Sequence, residues 1–190
     1  MKELENMKAL NEMELAKVAG GKISPICLGG EGMDQKPEEP RLDRTGPLKS
    51  ISYIRTMPYP GFPTDAQALI SAVLCTANGT SMLEETIFEN RFKHMGELAR
   101  MGADIRVSGK TAVIAGVPQL HGAAVTAMDL RGGAALAAAA AGAEGITYLS
   151  GLHHLDRGYE HFAETFNSLG IPTERKAFSA LERAFSGVNP

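Results

Sequence analysis

The 190-residue chain reads as an α/β fold of two similar units in which sheets wrap internal helices. Three observations predict it. Strand-like and helix-like segments alternate from Leu48 onward. Two segments, Ala66 to Ala77 and Ala134 to Ala141, are apolar almost all round, as helices buried on every side must be. The second half also repeats the first: Asp65 aligns with Asp129, Gly79 with Gly145, Asn90-Arg91 with Asp156-Arg157 and Gly102 with Gly170, at an offset that grows twice within loops.

In chain order, Met1 to Gly21 spaces Leu4, Met7, Leu10, Met13 or Glu14, and Val18 near the helical period, and Gly20-Gly21 ends the pattern. An amphipathic helix with a glycine cap is expected there. Its LNEMELAKVAGG also resembles a double-glycine leader of the kind carried by bacteriocin and modified-peptide precursors. Lys22 to Pro47, rich in Gly, Pro, Glu and Lys and without periodicity, reads as a flexible linker. The globular part is expected over residues 48–176, as units 48–117 and 118–176, with a tail at 177–190.

Within the first unit, Ser50 to Thr56 reads as a strand, Asp65 to Ala77 as a helix, Ser81 to Glu85 as a strand and Phe92 to Met101 as a helix stopped by Gly102. Asp104 to Val107 and Thr111 to Ala115 form a hairpin around Ser108-Gly109. Within the second, Ala123 to Ala127 is a strand, Leu130 to Ala141 a helix, Ile146 to Leu149 a strand, Tyr159 to Leu169 a helix stopped by Gly170, and Pro172 to Lys176 a strand. The second helix of each unit carries a polar face and belongs near solvent. Between the first strand and helix lies TMPYPGFPTD. Its prolines predict extended Met57, Tyr59 and Phe62, with Thr64 as N-cap and Asp65 in the first helical turn, where the helix dipole favours the ionised carboxylate.

A net charge of −3, scattered cations, no tryptophan and no zinc spacing point away from nucleic acid. The apolar run around Ala134 to Ala141 is too short to span a bilayer, and the charged N-terminus lacks a secretory apolar region. The two cysteines, Cys27 and Cys75, suit free thiols in a reducing compartment. A cytoplasmic location follows, with export only if the double-glycine stretch acts as a leader. His153-His154 beside Asp156 suggests a metal cluster, but neighbours on an extended segment point to opposite faces, so no metal site is expected.

At the element ends stand Asp65, Glu89, Arg91, Asp129, Arg131, Asp156 and Arg157. Guanidinium forks pair with carboxylate or phosphate, and a carboxylate whose pKa is raised toward neutrality takes a proton from a hydroxyl. The alternative is that Asp129–Arg131 and Asp156–Arg157 are local ion pairs worth under about 1 kcal/mol each. The motifs TMPYPGFPTDAQA, ETIFENRFKHMGELARMGADI, TAMDLRGGAAL and HLDRGYEHF, in this order, resemble the C-terminal part of the UDP-N-acetylglucosamine 1-carboxyvinyltransferases, enolpyruvyl transferases of peptidoglycan synthesis.

The resemblance implies βαβαββ units with helices inside, and a cleft between two domains. It implies UDP-N-acetylglucosamine and phosphoenolpyruvate as substrates, with no metal or redox cofactor. Asp65, beside Thr64, would be the base for the sugar 3-hydroxyl; Ile87 and Phe88 would line the nucleotide-sugar site. Arg91, Asp129, Arg131 and Arg157 would line the cleft, with Arg157 gripping phosphoenolpyruvate. Family members are more than twice as long, and their Lys-Asn motif and the loop bearing the acid have no counterpart here. Gly132-Gly133 replaces a more usual alanine-containing pair and is expected to loosen that helix start. The expectation is a partial transferase, inactive alone, that a complementing chain restores or that self-associates. The alternatives are a leader-bearing precursor, a fusion remnant, or a docking or binding module.

Overall fold

The alternation of short branched segments with alanine-rich ones resolves into two four-stranded mixed sheets and five helices in a computed structural model that describes residues 14–20 and 47–177. The elements are β1 (Glu14–Gly20), β2 (Tyr53–Arg55), α1 (Thr64–Leu74), β3 (Thr80–Glu84), α2 (Lys93–Arg100), β4 (Asp104–Ser108), β5 (Thr111–Ala115), β6 (Ala124–Thr126), α3 (Leu130–Gly142), β7 (Gly145–Ser150), α4 (His153–Asp156), α5 (Phe162–Ser168) and β8 (Thr173–Ala177). The order within residues 48–177 follows the expected alternation; α4 is an addition.

The first sheet runs β2-β3-β5-β4 and the second β6-β7-β1-β8. In each, the first pair is parallel and the next two pairings are antiparallel. The two units are thus the same design, and the repeat read from aligned glycines is structural: Gly79 and Gly145 have φ of 109° and 91°, Gly102 and Gly170 of 92° and 78°. These are left-handed conformations that a Cβ disfavours, which is why glycine marks the same places twice.

In the second sheet the slot filled by β5 in the first is taken by β1, from far upstream in the chain. Residues 14–20 are therefore a strand and not the expected helix. Val18 pairs with Thr147 on one side and Thr173 on the other. Two ladders of backbone hydrogen bonds outweigh helix preferences of a few tenths of a kcal/mol per residue. The rest of the expected helix, residues 1–13 and 21, lies outside the described residues, as do Cys27 and the stretch from Lys22 to Gly46.

Helices α1 and α3 pack against each other inside, and Leu74, Leu83, Leu98, Ile114, Leu136 and Leu149 are fully buried around them. The expectation that α1 and α3 are buried is met except along one stripe. Leu69 and Val73 are 36% and 43% exposed, and an open apolar groove of about 180 Å³ runs between the helices, lined by Leu48, Val73, Thr76, Leu120, Ala138 and Gly142. Each helix has a sheet on one side and its partner helix on another; the third side is uncovered among the described residues. None of the helices among those residues is long and apolar enough to cross a membrane.

A proline at position 18 removes a ladder hydrogen bond from an interior strand. Val18→Pro is expected to cost about 1–3 kcal/mol and to lower Tm by about 2–4 °C per kcal/mol, whereas Val18→Thr, which keeps the amide and strand preference, stays near the parent. Thermal melts of the two variants, with hydrogen exchange at Thr147, check this.

Candidate functional site

The proline-rich stretch does not approach α1 as a straight extended segment. It loops back: Met57 N–H donates to the Phe62 carbonyl at 2.9 Å and Gly61 N–H to the Pro58 carbonyl at 2.8 Å. Gly61 is needed for this closure, since a Cβ there would stand 2.4 Å from the Met57 Cβ. Pro63, at φ −72° and ψ 135°, occupies the N-cap position, and Thr64 is already helical. Thr64 therefore does not cap α1. Its hydroxyl donates instead to Glu85 Oε2 at 2.8 Å.

Asp65 leaves the first turn of α1 toward two guanidinium groups. Arg91 Nη2 donates to Oδ1 at 2.8 Å and Arg131 Nη2 to Oδ2 at 3.0 Å. Arg91 lies just before α2 and Arg131 in the first turn of α3, so the parallel packing of α1 and α3 and the docking of α2 bring three element starts together. The Arg91 guanidinium also sits 5.1 Å from the Phe88 ring centroid, a cation–π contact. Ile87 and Phe88 are 38% and 48% exposed beside it.

Asp129 does cap its helix, accepting from Gly132 N–H at 2.8 Å. The expected loosening at Gly132-Gly133 is offset here by that cap. Close packing also suits glycine, because a Cβ at 132 would lie 3.2 Å from the His94 Cβ and one at 133 would lie 3.0 Å from that of Ala127. The local ion pairs read from sequence do not form: Arg131 reaches Asp65 rather than Asp129, and Asp156 takes both prongs of Arg175, at 3.0 and 2.9 Å, rather than Arg157. Arg157 is exposed just after α4. Its charge, like that of Asp129, is felt by His154, which sets it at the same end of the molecule; burial, His153 and Arg157 together hold the His154 imidazole below its ordinary pKa. His153 and His154 lie on helical α4, not on an extended segment, with ring centroids 4.0 Å apart. No group of three or more potential metal ligands occurs among the described residues.

The electrostatics run opposite to a carboxylate poised near neutrality. The hydrogen bond from Arg131, supported by Arg91, holds the Asp65 carboxyl below the usual range, and Asp65 and Tyr159 raise Arg131 in turn. Beneath the site, His94 is buried with Nε2 2.9 Å from the Ser71 hydroxyl, and burial pulls its pKa down to about 4. Burial pushes the Cys75 thiol up to about 12, so it is an inert core group.

Sequence reasoning missed Glu85 and the His94–Ser71 pair. For Glu85 a signal existed: Ser81 and Leu83 set the buried register of β3, and Glu85 falls on the same register. A carboxylate placed where alternation calls for an apolar residue marks a polar job.

The family model described as EPSP synthase (3-phosphoshikimate 1-carboxyvinyltransferase) matches residues 11–166, and the chain belongs to that family of enolpyruvyl transferases. It is 56% identical over 127 residues to UDP-N-acetylglucosamine 1-carboxyvinyltransferase 2 of Caldanaerobacter subterraneus, covering 67% of this chain and 30% of that one. To the UDP-N-acetylglucosamine 1-carboxyvinyltransferase of an Anaeromyxobacter species it is 45% identical over 177 residues, covering 91% and 38%. Among solved structures, the enolpyruvyl transferase NikO from Streptomyces tendae superposes with a TM-score of 0.65 at 28% identity, covering 70% of this chain and 31% of that one. An EPSP synthase from Acinetobacter baumannii shares the fold, with a TM-score of 0.55 at 18% identity, covering 68% of this chain and 32% of that one. The chain thus spans roughly a third of the length of the curated relatives it matches, 30% and 38% in the two cases above. The family match takes in nearly all of LNEMELAKVAGG, and the resemblance to a double-glycine leader finds no support.

Two outcomes test the electrostatics. In Arg131→Ala the Asp65 carboxyl is expected to titrate at higher pH than in the parent, as read by carboxyl NMR. His94 stabilises the fold only while neutral. The unfolded chain takes its proton near 6.5 and the folded one near 4, so stability is full above the first value, falls through the window and levels off below the second. The fall is on the order of 2–3 kcal/mol; His94→Gln is expected to flatten it in denaturant melts at pH 7 and pH 4.5.

Proposed function

We propose that this chain forms one wall of a UDP-N-acetylglucosamine 1-carboxyvinyltransferase site and acts in peptidoglycan synthesis. The observation that carries the reading is Asp65 gripped by Arg91 and Arg131 beside the exposed Ile87–Phe88 pair, in a chain whose relatives bear that name. The sugar 3-hydroxyl oxygen adds to C2 of phosphoenolpyruvate while Asp65 takes its proton and a proton is delivered to C3. Loss of the C3 proton and of inorganic phosphate from the tetrahedral adduct leaves the enolpyruvyl ether. Arg157 and Arg131 hold the phosphate and carboxylate of phosphoenolpyruvate, and Thr64, Ile87, Phe88 and Asp129 shape the sugar-binding face.

The ion pairs supply a gate on the base. While two guanidiniums hold Asp65, it is a poor proton acceptor; an incoming trianionic substrate competes for the same forks and frees the carboxylate as it binds. The acid that protonates C3 is taken to lie in the part of the relatives' length that these residues do not span, so turnover is expected once that part is supplied. Both substrates are soluble phosphorylated metabolites, which favours the cytoplasm.

Calorimetric titration of the full chain with UDP-N-acetylglucosamine and phosphoenolpyruvate tests binding. Phosphate release after mixing with a chain that carries the remaining two thirds of a relative tests turnover. Asp65→Asn is expected to slow release by about 10²–10⁴-fold in the reconstituted pair. A parent chain that binds neither ligand and releases no phosphate in the mixture would overturn the proposal.

A further inference from the structure

Glu85 follows β3 and is only 1% exposed. A carboxylate buried without a cation is costly unless several donors satisfy it. Four do so here. Oε1 accepts from the Thr56 hydroxyl at 2.9 Å, Ile87 N–H at 2.8 Å and Phe88 N–H at 3.1 Å, and Oε2 accepts from the Thr64 hydroxyl at 2.8 Å. The Thr56 hydroxyl in turn accepts from Thr86 N–H at 2.9 Å. Burial alone would raise the pKa of this group, but the hydrogen bonds from Thr64, Ile87, Phe88 and Thr56 outweigh it, and the net shift is downward.

The second unit provides an internal comparison, in which the equivalent junction closes without a carboxylate. Parallel pairing sets Arg55 opposite Glu84 and Thr126 opposite Ser150, so Thr56 and Glu85 correspond to Ala127 and Gly151. The same backbone hydrogen bond precedes both places, Thr56 N–H to the Glu84 carbonyl and Ala127 N–H to the Ser150 carbonyl each at 2.9 Å, but the chain then turns differently, since Gly151 has φ of 74° and Glu85 is not left-handed. Gly151 leaves no room for a side chain there, since a Cβ would lie 2.3 Å from the Ala127 carbonyl oxygen. One unit closes this junction with nothing, the other with a buried anion and three threonines. The unit with the anion is the one that carries Asp65, Ile87 and Phe88.

The contacts form a closed circuit. Glu85 binds Thr64; Asp65 follows Thr64 and binds Arg91; Arg91 lies over Phe88; and the Phe88 amide returns to Glu85. We infer that Glu85 is a positioning residue, whose carboxylate locks the Thr64–Asp65 start of α1 to the Ile87–Phe88 loop so that both halves of the ligand face are set by one anion. That this face receives a nucleotide sugar rests on the function proposed above; the lock itself does not.

The test uses the full chain, labelled with ¹⁵N, as parent, Glu85→Gln and Glu85→Ala. In the parent, the Ile87 and Phe88 amide shifts are expected to move together on acidification, below the ordinary carboxylate range, and in Glu85→Gln that joint movement is lost. Glu85→Gln keeps a carbonyl oxygen for three donors and offers Thr64 an N–H, so hydrogen-exchange protection at 87 and 88 survives. Glu85→Ala is expected to lose it by roughly 10- to 100-fold and to alter the Asp65 titration, while protection at Leu136 and Leu149 is unchanged. With UDP-N-acetylglucosamine as the probe, Glu85→Ala is expected to weaken binding by a similar factor, with Glu85→Gln largely restoring it. Unchanged 87–88 protection and an unchanged Asp65 titration in Glu85→Ala would overturn the lock. Should Glu85→Ala fail to fold, persistence of the joint amide movement in Glu85→Gln would overturn it instead. A parent that shows the amide behaviour yet ignores the nucleotide sugar would remove the ligand assignment and leave the lock standing.

Discussion

Two helices lie side by side in the same direction at the centre of this molecule, and their small residues let them do so. Ala68, Ala72, Ala135 and Ala139 are all buried, and side chains of this size permit close approach of the backbones. The direction matters as much as the distance. Since α1 and α3 run parallel, their N-terminal ends meet, and Asp65 finds Arg131 at 3.0 Å across a gap of 66 residues in sequence. Each sheet then wraps its own helix, and the loops at that same end carry the rest of the polar groups. A bulkier α3 would push the two N-termini apart and dissolve the pair without touching it.

The charge at this end is not balanced locally. Arg91 and Arg131 share one carboxylate, Arg157 stands exposed nearby, and two helix N-termini add their own positive ends. Such an end is suited to an anion, and Asp65 and Tyr159 already engage the Arg131 fork. Because Asp65 is more than half exposed, its ion pairs contribute little to stability; their weight falls on orientation and on the carboxyl's protonation. The opposite end, with its open apolar groove, carries no comparable charge density among its lining residues.

Beneath the exposed charges lies a layer of buried polar groups whose work is geometric. His94, held neutral against Ser71, and Glu85, held ionised among hydroxyls and amides, both sit where apolar residues would serve packing as well. The two units differ here: they share the backbone hydrogen bond that joins the strand ends, but Gly151 turns left-handed where Glu85 does not. Such differences between repeats separate what the fold demands from what the site demands, and they do so within a single chain.

The amino-acid sequence by itself determined the order of elements from β2 to β8, the two-unit repeat, the internal placement of α1 and α3, and the residue types around Asp65, because periodicity, proline and glycine act over a few neighbouring positions. Even there, Thr64 looked like a cap and was not, since Glu85, 21 residues on, offers its hydroxyl a charged acceptor. Residues 14–20 looked helical because a period of three or four is easily satisfied by chance in seven residues; whether they become a strand depends on an empty slot between β7 and β8, which no local pattern records. The partners of Asp65, the exposed third side of the central helices and the Glu85 circuit were likewise decided only by tertiary structure. Each joins segments 20 to 70 residues apart, and such pairings are set by how sheets close around helices rather than by what any one segment prefers.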